Sequence, residues 1–194
     1  MQKILDIAHN CNGFVSSAQV TTLGIPRRCL SELAESGKLV RVERGLYSLP
    51  HVWEDEFVIA QHRFARGVFS HETALFLHDL TDRTPFSLTM TFPRNYNAIK
   101  VRKAGIIVRT CADNVLGLGL VSIRTPAGNA VKAYDRERTL CDVVRGQSVV
   151  DLQVVNPAIR TYLSTRGKDI GKLLTYAREL GVESKIRNYL EVLL

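Results

Sequence analysis

Residues Phe14–Leu49 read FVSSAQVTTLGIPRRCLSELAESGKLVRVERGLYSL, and a few punctuating residues divide them into elements. Ser16 and Gln19 fit the S-x-x-Q capping box, in which each side chain satisfies an orphan backbone donor at a helix start. The helix opened there is expected to bury Ala18, Val20 and Leu23, and Gly24 ends it. Pro26 suits the first turn of a second helix, where its missing N–H costs nothing. That helix, about 26–36, turns Leu30, Leu33 and Ala34 inward and leaves Arg27, Arg28, Ser31 and Glu35 outside. From Gly37 the pattern changes. Leu39, Val40 and Val42 precede Gly45, and Leu46, Tyr47 and Leu49 follow it, which reads as a β-hairpin turning at Gly45. Arg41 and Arg44 lie at or near its tip.

Upstream, Ile4, Leu5, Ile7 and Ala8 keep helical spacing until Asn12-Gly13 stops them. Residues 1–50 therefore order as helix, helix, turn, helix, hairpin, which describes a winged helix-turn-helix. In such a module the N-terminal residues of the second helix of the pair meet base edges in the major groove, and the hairpin grips backbone or minor groove. The candidate DNA contacts are Ser17, Arg27, Arg28, Ser31, Lys38, Arg41 and Arg44. A protein-docking module uses similar elements, and six lysines and arginines against four acids give this segment a balance of only +2.

Residues 51–194 read as a second, α+β domain with a small, mostly antiparallel sheet. Trp53–Arg66 looks helical, with Glu54, Asp55 and Glu56 near its start as the helix dipole favours. Gly67–Phe69 is extended, and Ser70 caps a helix through His78. Strands are expected at Phe86–Phe92, Gly105–Arg109, Leu120–Arg124 and Ala130–Tyr134, and helices at about 136–144, 156–165, 169–180 and 183–194. Asp135 and Asp169 are candidate N-caps. No acid interrupts positions 83–112, and the basic cluster Arg94, Lys100, Arg102, Lys103 and Arg109 lies there. Three readings stand: a second contact with DNA phosphates, a receptor for an acidic partner, or a solvated face. The apolar stripe Ile186, Tyr189, Leu190, Leu193 and Leu194 reads as internal core before it reads as a dimer seam.

The net charge of +7 and pI near 9.4 favour polyanionic partners. No apolar run reaches the roughly 18–20 residues of a membrane span. Met1–Asn10 is amphipathic and lacks a signal peptide's apolar core, so a cytoplasmic protein is expected. Cys11, Cys29, Cys111 and Cys141 form no C-x-x-C pair and read as small buried hydrophobes. Catalytic signatures are missing. His71-Glu72-Thr73-Ala74-Leu75 has leucine where H-E-x-x-H needs its second ligand, and Gly117-Leu118-Gly119 lacks the third glycine of a dinucleotide loop. Glu183-Ser184-Lys185 has no strand-borne aspartate before it. Neither a metal nor a cofactor is expected, and the chain does not read as an enzyme.

The pattern Phe14-Val15-Ser16-Ser17-Ala18, Leu23-Gly24-Ile25, Gly37–Val42 and Arg44-Gly45-Leu46-Tyr47 resembles the winged-helix half of AbiEi-type antitoxins. Ser70–Leu75 and Tyr134-Asp135-Arg136-Glu137-Arg138-Thr139-Leu140-Cys141-Asp142 are similar to that family as well. The resemblance implies a type IV toxin–antitoxin, abortive-infection system. Its antitoxin represses its own operon through inverted repeats in the promoter, and it opposes a nucleotidyltransferase-type toxin without stable binding. Carried over, Arg27, Arg28, Leu30 and Leu33 match the recognition helix, and Arg41, Arg44, Gly45 and Tyr47 the wing. The Tyr134–Asp142 segment reads first as scaffold, with an antitoxic role for exposed charges as the sharper alternative. Two rivals remain: a regulator whose second domain senses a small molecule, and a module that caps a toxin directly.

Overall fold

Two runs of local signals, one ending near residue 65 and one beginning there, fold as separate compact units. A computed structural model of the chain describes residues 1–145 and 150–193. The first unit is Met1–Ala65 with Arg124–Val131, and the second is Arg66–Ile123 with Lys132–Leu194. The boundary read from the sequence lay near residue 50. Helix 56–63 instead counts with the first unit, as does the distant segment 124–131.

The first unit runs α1 (Gln2–Asn10), β1 (Phe14–Ser16), α2 (Ser17–Thr22), α3 (Arg28–Glu35), β2 (Val40–Glu43), β3 (Leu46–Ser48) and α4 (Glu56–Arg63). Its three strands form an antiparallel sheet in the order β1-β3-β2. The capping box is present, with the Ser16 hydroxyl accepting from Gln19 N and the Gln19 carboxamide accepting from Ser16 N at 2.7 Å. Helix α2 has six residues and buries Val20 alone. Ala18 and Leu23 are therefore exposed rather than inward, because so short a helix presents one side chain to the core. At its end Gly24 N bonds Thr21 O and Ile25 N bonds Val20 O, a Schellman pair that needs the left-handed φ of +70° at Gly24. Pro26 lies outside α3, whose N-cap is Arg27. Ile4, Ala8, Val15, Val20, Leu30, Leu33, Leu39 and Tyr47 pack into one core beneath these elements.

Gly45 turns the hairpin at φ +77°. A Cβ there would stand 2.7 Å from Ser17 Oγ, since the turn closes on the start of α2 through Ser17 N to Gly45 O at 2.8 Å. Gly45→Ala is thus expected to destabilise the first unit by about 1–2 kcal/mol for the left-handed conformation alone, with the steric contact added. A urea melt followed by circular dichroism would measure it, and an unchanged midpoint would refute the close approach.

Asp55 caps α4. Its Oδ1 accepts from Phe57 N (3.0 Å) and Val58 N (3.3 Å), and its Oδ2 accepts from Thr125 Oγ1 (2.5 Å) and Asn129 Nδ2 (2.8 Å). All three polar side chains are buried. This is how the 124–131 turn is held, and the helix begins at Glu56 rather than at Trp53, which is 90% exposed.

The second unit contains β4 (Val68–Phe69), α5 (His71–Leu77), β5 (Thr89–Pro93), α6 (Ile99–Lys103), β6 (Ile107–Cys111), α7 (Asp113–Leu116), β7 (Leu120–Arg124), β8 (Ala130–Tyr134), α8 (Arg136–Arg145), α9 (Leu152–Ser164), α10 (Ile170–Glu179) and α11 (Glu183–Leu193). The ends of β7 and β8 nearest their turn count in the first unit. The sheet order is β6-β5-β4-β8-β7. It is mixed, not mostly antiparallel: β4 pairs antiparallel with β5, but β4–β8 and β5–β6 are parallel. The reason is α6. After Pro93 the chain makes a helical crossover and returns parallel to β5, as parallel neighbours require. Strand β5 starts at Thr89, and Phe86 is fully exposed. Helix α9 starts at Leu152, capped by the Asp151 carboxylate, so that Pro157 falls inside it instead of in its first turn. Asp135 and Asp169 do accept from backbone N–H groups three residues on. A large core of α5, α8, α9, α10 and α11 side chains includes Ile186 and Leu190. Leu194 lies outside the described residues.

Candidate nucleic-acid interface

Leu30 and Leu33 are each 1% exposed, and their burial fixes which way α3 faces. Arg28 and Ser31 on α3, and Arg27 at its N-cap, are thereby turned to solvent. Arg27 is partly anchored, because its Nε donates to Thr21 Oγ1 of α2 at 2.9 Å. The Arg28 guanidinium makes no hydrogen bond or ion pair with the described residues.

The hairpin adds its own cations. Lys38, Arg41 and Arg44 are exposed, and none has an ion-pair partner among the described residues. The register of β2 against β3 shifts between Arg41 and Glu43, a bulge that twists the strand locally. Glu43 is the one acid of the hairpin. Its carboxylate accepts from Arg44 N at 2.8 Å and lies 3.7 Å from Arg63 of α4. It is therefore drawn away from Arg41 and Arg44, a role for Arg63 that sequence spacing does not reveal. Ser17 is half-buried, with its hydroxyl against Gly45, so it is more a packing residue than a free donor.

In the second unit, Arg94 follows β5, and Lys100, Arg102 and Lys103 stand exposed on α6 around buried Val101. Tyr96 stacks on Phe92 with ring centroids 4.5 Å apart, and Arg66 lies 5.8 Å from the Tyr96 ring. Arg66 and Tyr96 belong to this surface and were not among the sequence candidates. Arg109 differs from the rest. It sits on β6 in register with Thr91, half-buried, and its Nε is buried without a partner.

The Tyr134–Asp142 segment is almost wholly internal. Tyr134, Arg138, Thr139, Leu140 and Cys141 are 1% exposed or less. Arg138 donates to Asp142 and to the Val115 and Leu118 carbonyls. Lys172 of α10 bridges Asp135 (2.9 Å) and Glu137 (3.3 Å), and Glu137 accepts from Tyr162 Oη at 2.8 Å. Only Arg136 of its charged residues is partly exposed. Burial pushes the Cys141 thiol up to about 12, which keeps it protonated and unreactive. Cys11 and Cys29 are half-buried, and all four cysteines are free. Among the described residues no group of three or more His, Cys, Asp or Glu side chains could hold a metal, and no helix is long and apolar enough to cross a membrane.

Residues 2–50 match the model of a family described as a transcriptional regulator, AbiEi antitoxin. The match covers the helices and hairpin that carry Arg27, Arg28, Arg41 and Arg44, and it agrees with the resemblance read from those residues. The chain's fold is similar to that of the crystal structure of the RV2827C protein from Mycobacterium tuberculosis. The TM-score is 0.52 at 13% identity, over 97% of this chain and 79% of that one. No curated protein matches the chain.

Proposed function

We propose that the first unit is a winged helix-turn-helix that binds duplex DNA, and that the protein is an autorepressor and antitoxin of a type IV toxin–antitoxin system. The observation that carries this reading is the exposed, partner-free guanidinium of Arg28 beside Arg27 at the start of α3, directly after a glycine-closed turn from α2. The match of residues 2–50 to a transcriptional-regulator family supports it.

Arg27, Arg28 and Ser31 enter the major groove, where arginine reads guanine bidentately. Lys38, Arg41 and Arg44 on the β2–β3 wing hold phosphate or minor groove. Inverted repeats in the protein's own promoter supply the operator. Arg94, Lys100, Arg102 and Lys103 add a backbone contact from the second unit. Arg109, half-buried, fits that role least. The partner toxin is of nucleotidyltransferase type and is opposed without a stable complex, so the two purified proteins are expected to elute separately.

The test is a salt-titrated gel shift on the DNA upstream of the gene. Arg27→Ala or Arg28→Ala is expected to cost about 1–3 kcal/mol of binding and to relax sequence preference. Arg94→Ala/Lys100→Ala should weaken all sequences alike and reduce the salt slope by about two. A wild-type protein with no preference over random DNA would overturn the repressor reading.

A further inference from the structure

We propose that the first unit contains a binding site for a small organic anion, in a cleft between the end of α1, helix α4 and the 124–131 turn, and that its occupation weakens DNA binding. The regulatory half rests on the DNA-binding reading above. The cleft has a volume of about 540 Å³, within the roughly 300–1,000 Å³ of small-molecule sites. Phe14, Leu46, Val58 and Val131 supply an apolar wall, and Phe14, Leu46 and Val131 are themselves buried. The polar lining consists of side-chain amides, His62 and the guanidinium of Arg124. Neither aspartate nor glutamate lines it. A ligand with an apolar body and one carboxylate or phosphate matches that combination, since Arg124 is the single formal charge and forks toward such groups.

The cleft is also built to stay open. Arg124 Nη1 and Asn12 Nδ2 both donate to Gly128 O, at 2.6 and 2.7 Å. Behind them the buried Asp55–Thr125–Asn129 bonds fix the floor. Arg124 spends one N–H on that carbonyl and keeps the remainder of its fork.

Two lining side chains connect the cleft to the DNA-binding elements. Gln19 is the third residue of α2 and closes its capping box with Ser16, and its Nε2 lies 3.6 Å from Cys11 Sγ. His62 Nε2 lies 3.1 Å from the Arg44 carbonyl at the hairpin turn. An anion that engages Gln19 or His62 loosens the start of α2 or the wing. By linkage, DNA then weakens the anion by the same factor.

Benzoate and phenyl phosphate serve as probes, with benzyl alcohol as the neutral control. Calorimetry and amide NMR on the intact protein are expected to show saturable binding of at least one anion and none of the alcohol. Shifts should fall on the side-chain amides of Asn10, Gln61 and Asn129. Arg124→Gln should weaken binding at least tenfold, and Ala130→Trp, which fills the cleft from an exposed position, should abolish it. Saturating anion should lower operator affinity at least about fivefold, the low end of typical coupling, against sodium chloride of equal ionic strength. If neither anion binds, or both variants bind as wild type does, the site is refuted. Binding with unchanged operator affinity refutes the regulation. A protein that binds the anion but no DNA leaves the site supported and sinks the DNA reading with the regulation that rests on it.

Discussion

Arg138→Ala is expected to cost the second unit about 3–5 kcal/mol, the loss typical of breaking a buried ion pair from one side. The side chain is 1% exposed and meets Asp142 one helical turn on, with Nε 3.1 Å from each carboxylate oxygen. Its Nη1 donates to the carbonyls of Val115 (2.6 Å) and Leu118 (3.1 Å), and its guanidinium lies 4.3 Å from the Tyr134 ring. Alanine removes all of these at once, leaving the Leu118 carbonyl and the Asp142 carboxylate without this donor and the Val115 carbonyl with only the long bond from Leu118 N at 3.3 Å. Burial already pushes the Asp142 carboxyl from 3.8 up to about 6, with Arg138 pulling it back. Without that cation it rises further. An acid whose folded pKa is raised favours the folded state below its unfolded pKa, and the advantage is lost as pH rises through the folded value. The deficit of Arg138→Ala should therefore widen as pH rises above about 6, where wild-type Asp142 ionises and the variant's does not. Arg138→Met/Asp142→Leu should recover part of the loss, because no buried charge remains unpaired. Urea melts of the three proteins at several pH values decide it. A single-variant cost under about 1 kcal/mol would mean that this pair does not organise the unit.

The Arg138 contacts also mark where sequence reading stops. The i,i+4 pairing with Asp142 is visible in the chain, as is the Asp135 cap. That Val115 and Leu118 present carbonyls to the same guanidinium is not, because α7 reaches it only through the packing of the sheet. Unit one was legible for the opposite reason. The Ser16–Gln19 box, the Gly24 turn and the Gly45 hairpin are each decided within a few residues. Elsewhere the local signals are thin. Ile99-Lys100-Val101-Arg102-Lys103 gives no helical signal of its own, because five residues between Pro93 and Gly105 show less than two helical turns. Its recognition changes the sheet, since it is what makes β5 and β6 parallel.

The candidate interface divides in the same way. Arg27, Arg28, Ser31, Lys38, Arg41 and Arg44 could be assigned to solvent from the periodicity of Leu30, Leu33, Leu39 and Tyr47 alone. Arg63 drawing Glu43 aside, and Arg66 beside Tyr96, required coordinates. Arg109 stands apart from these. It belongs to an acid-free basic run in sequence, yet its strand turns it beside Thr91 and partly into the unit.

Arg109 also shapes the strongest expected pH effect. His71 begins α5 at φ +52°, a conformation that asparagine tolerates far better than most residues. Its Nδ1 is 3.1 Å from Ser70 Oγ. Burial, then the charges of Arg109 and Arg138, lower its pKa from 6.5 to about 3, so the folded unit holds the ring neutral. Unfolding frees it to take up a proton below 6.5. The stability contributed above that pH is lost as pH falls toward 3. At about 1.36 kcal/mol per unit, the loss from this residue is about 2 kcal/mol at pH 5 and more than 4 near pH 3. His78 is shifted in the same direction, chiefly by burial, and adds to the trend. The isolating variant is His71→Asn, which keeps the backbone conformation accessible and removes the titration. Between pH 8 and pH 5 it should lose about 2 kcal/mol less stability than wild type in urea melts. NMR titration of the wild-type ring should show no protonation down to about pH 4. Equal pH dependence in the two proteins, or a ring that titrates near 6.5, would show that His71 is not held neutral by burial and the charges of Arg109 and Arg138.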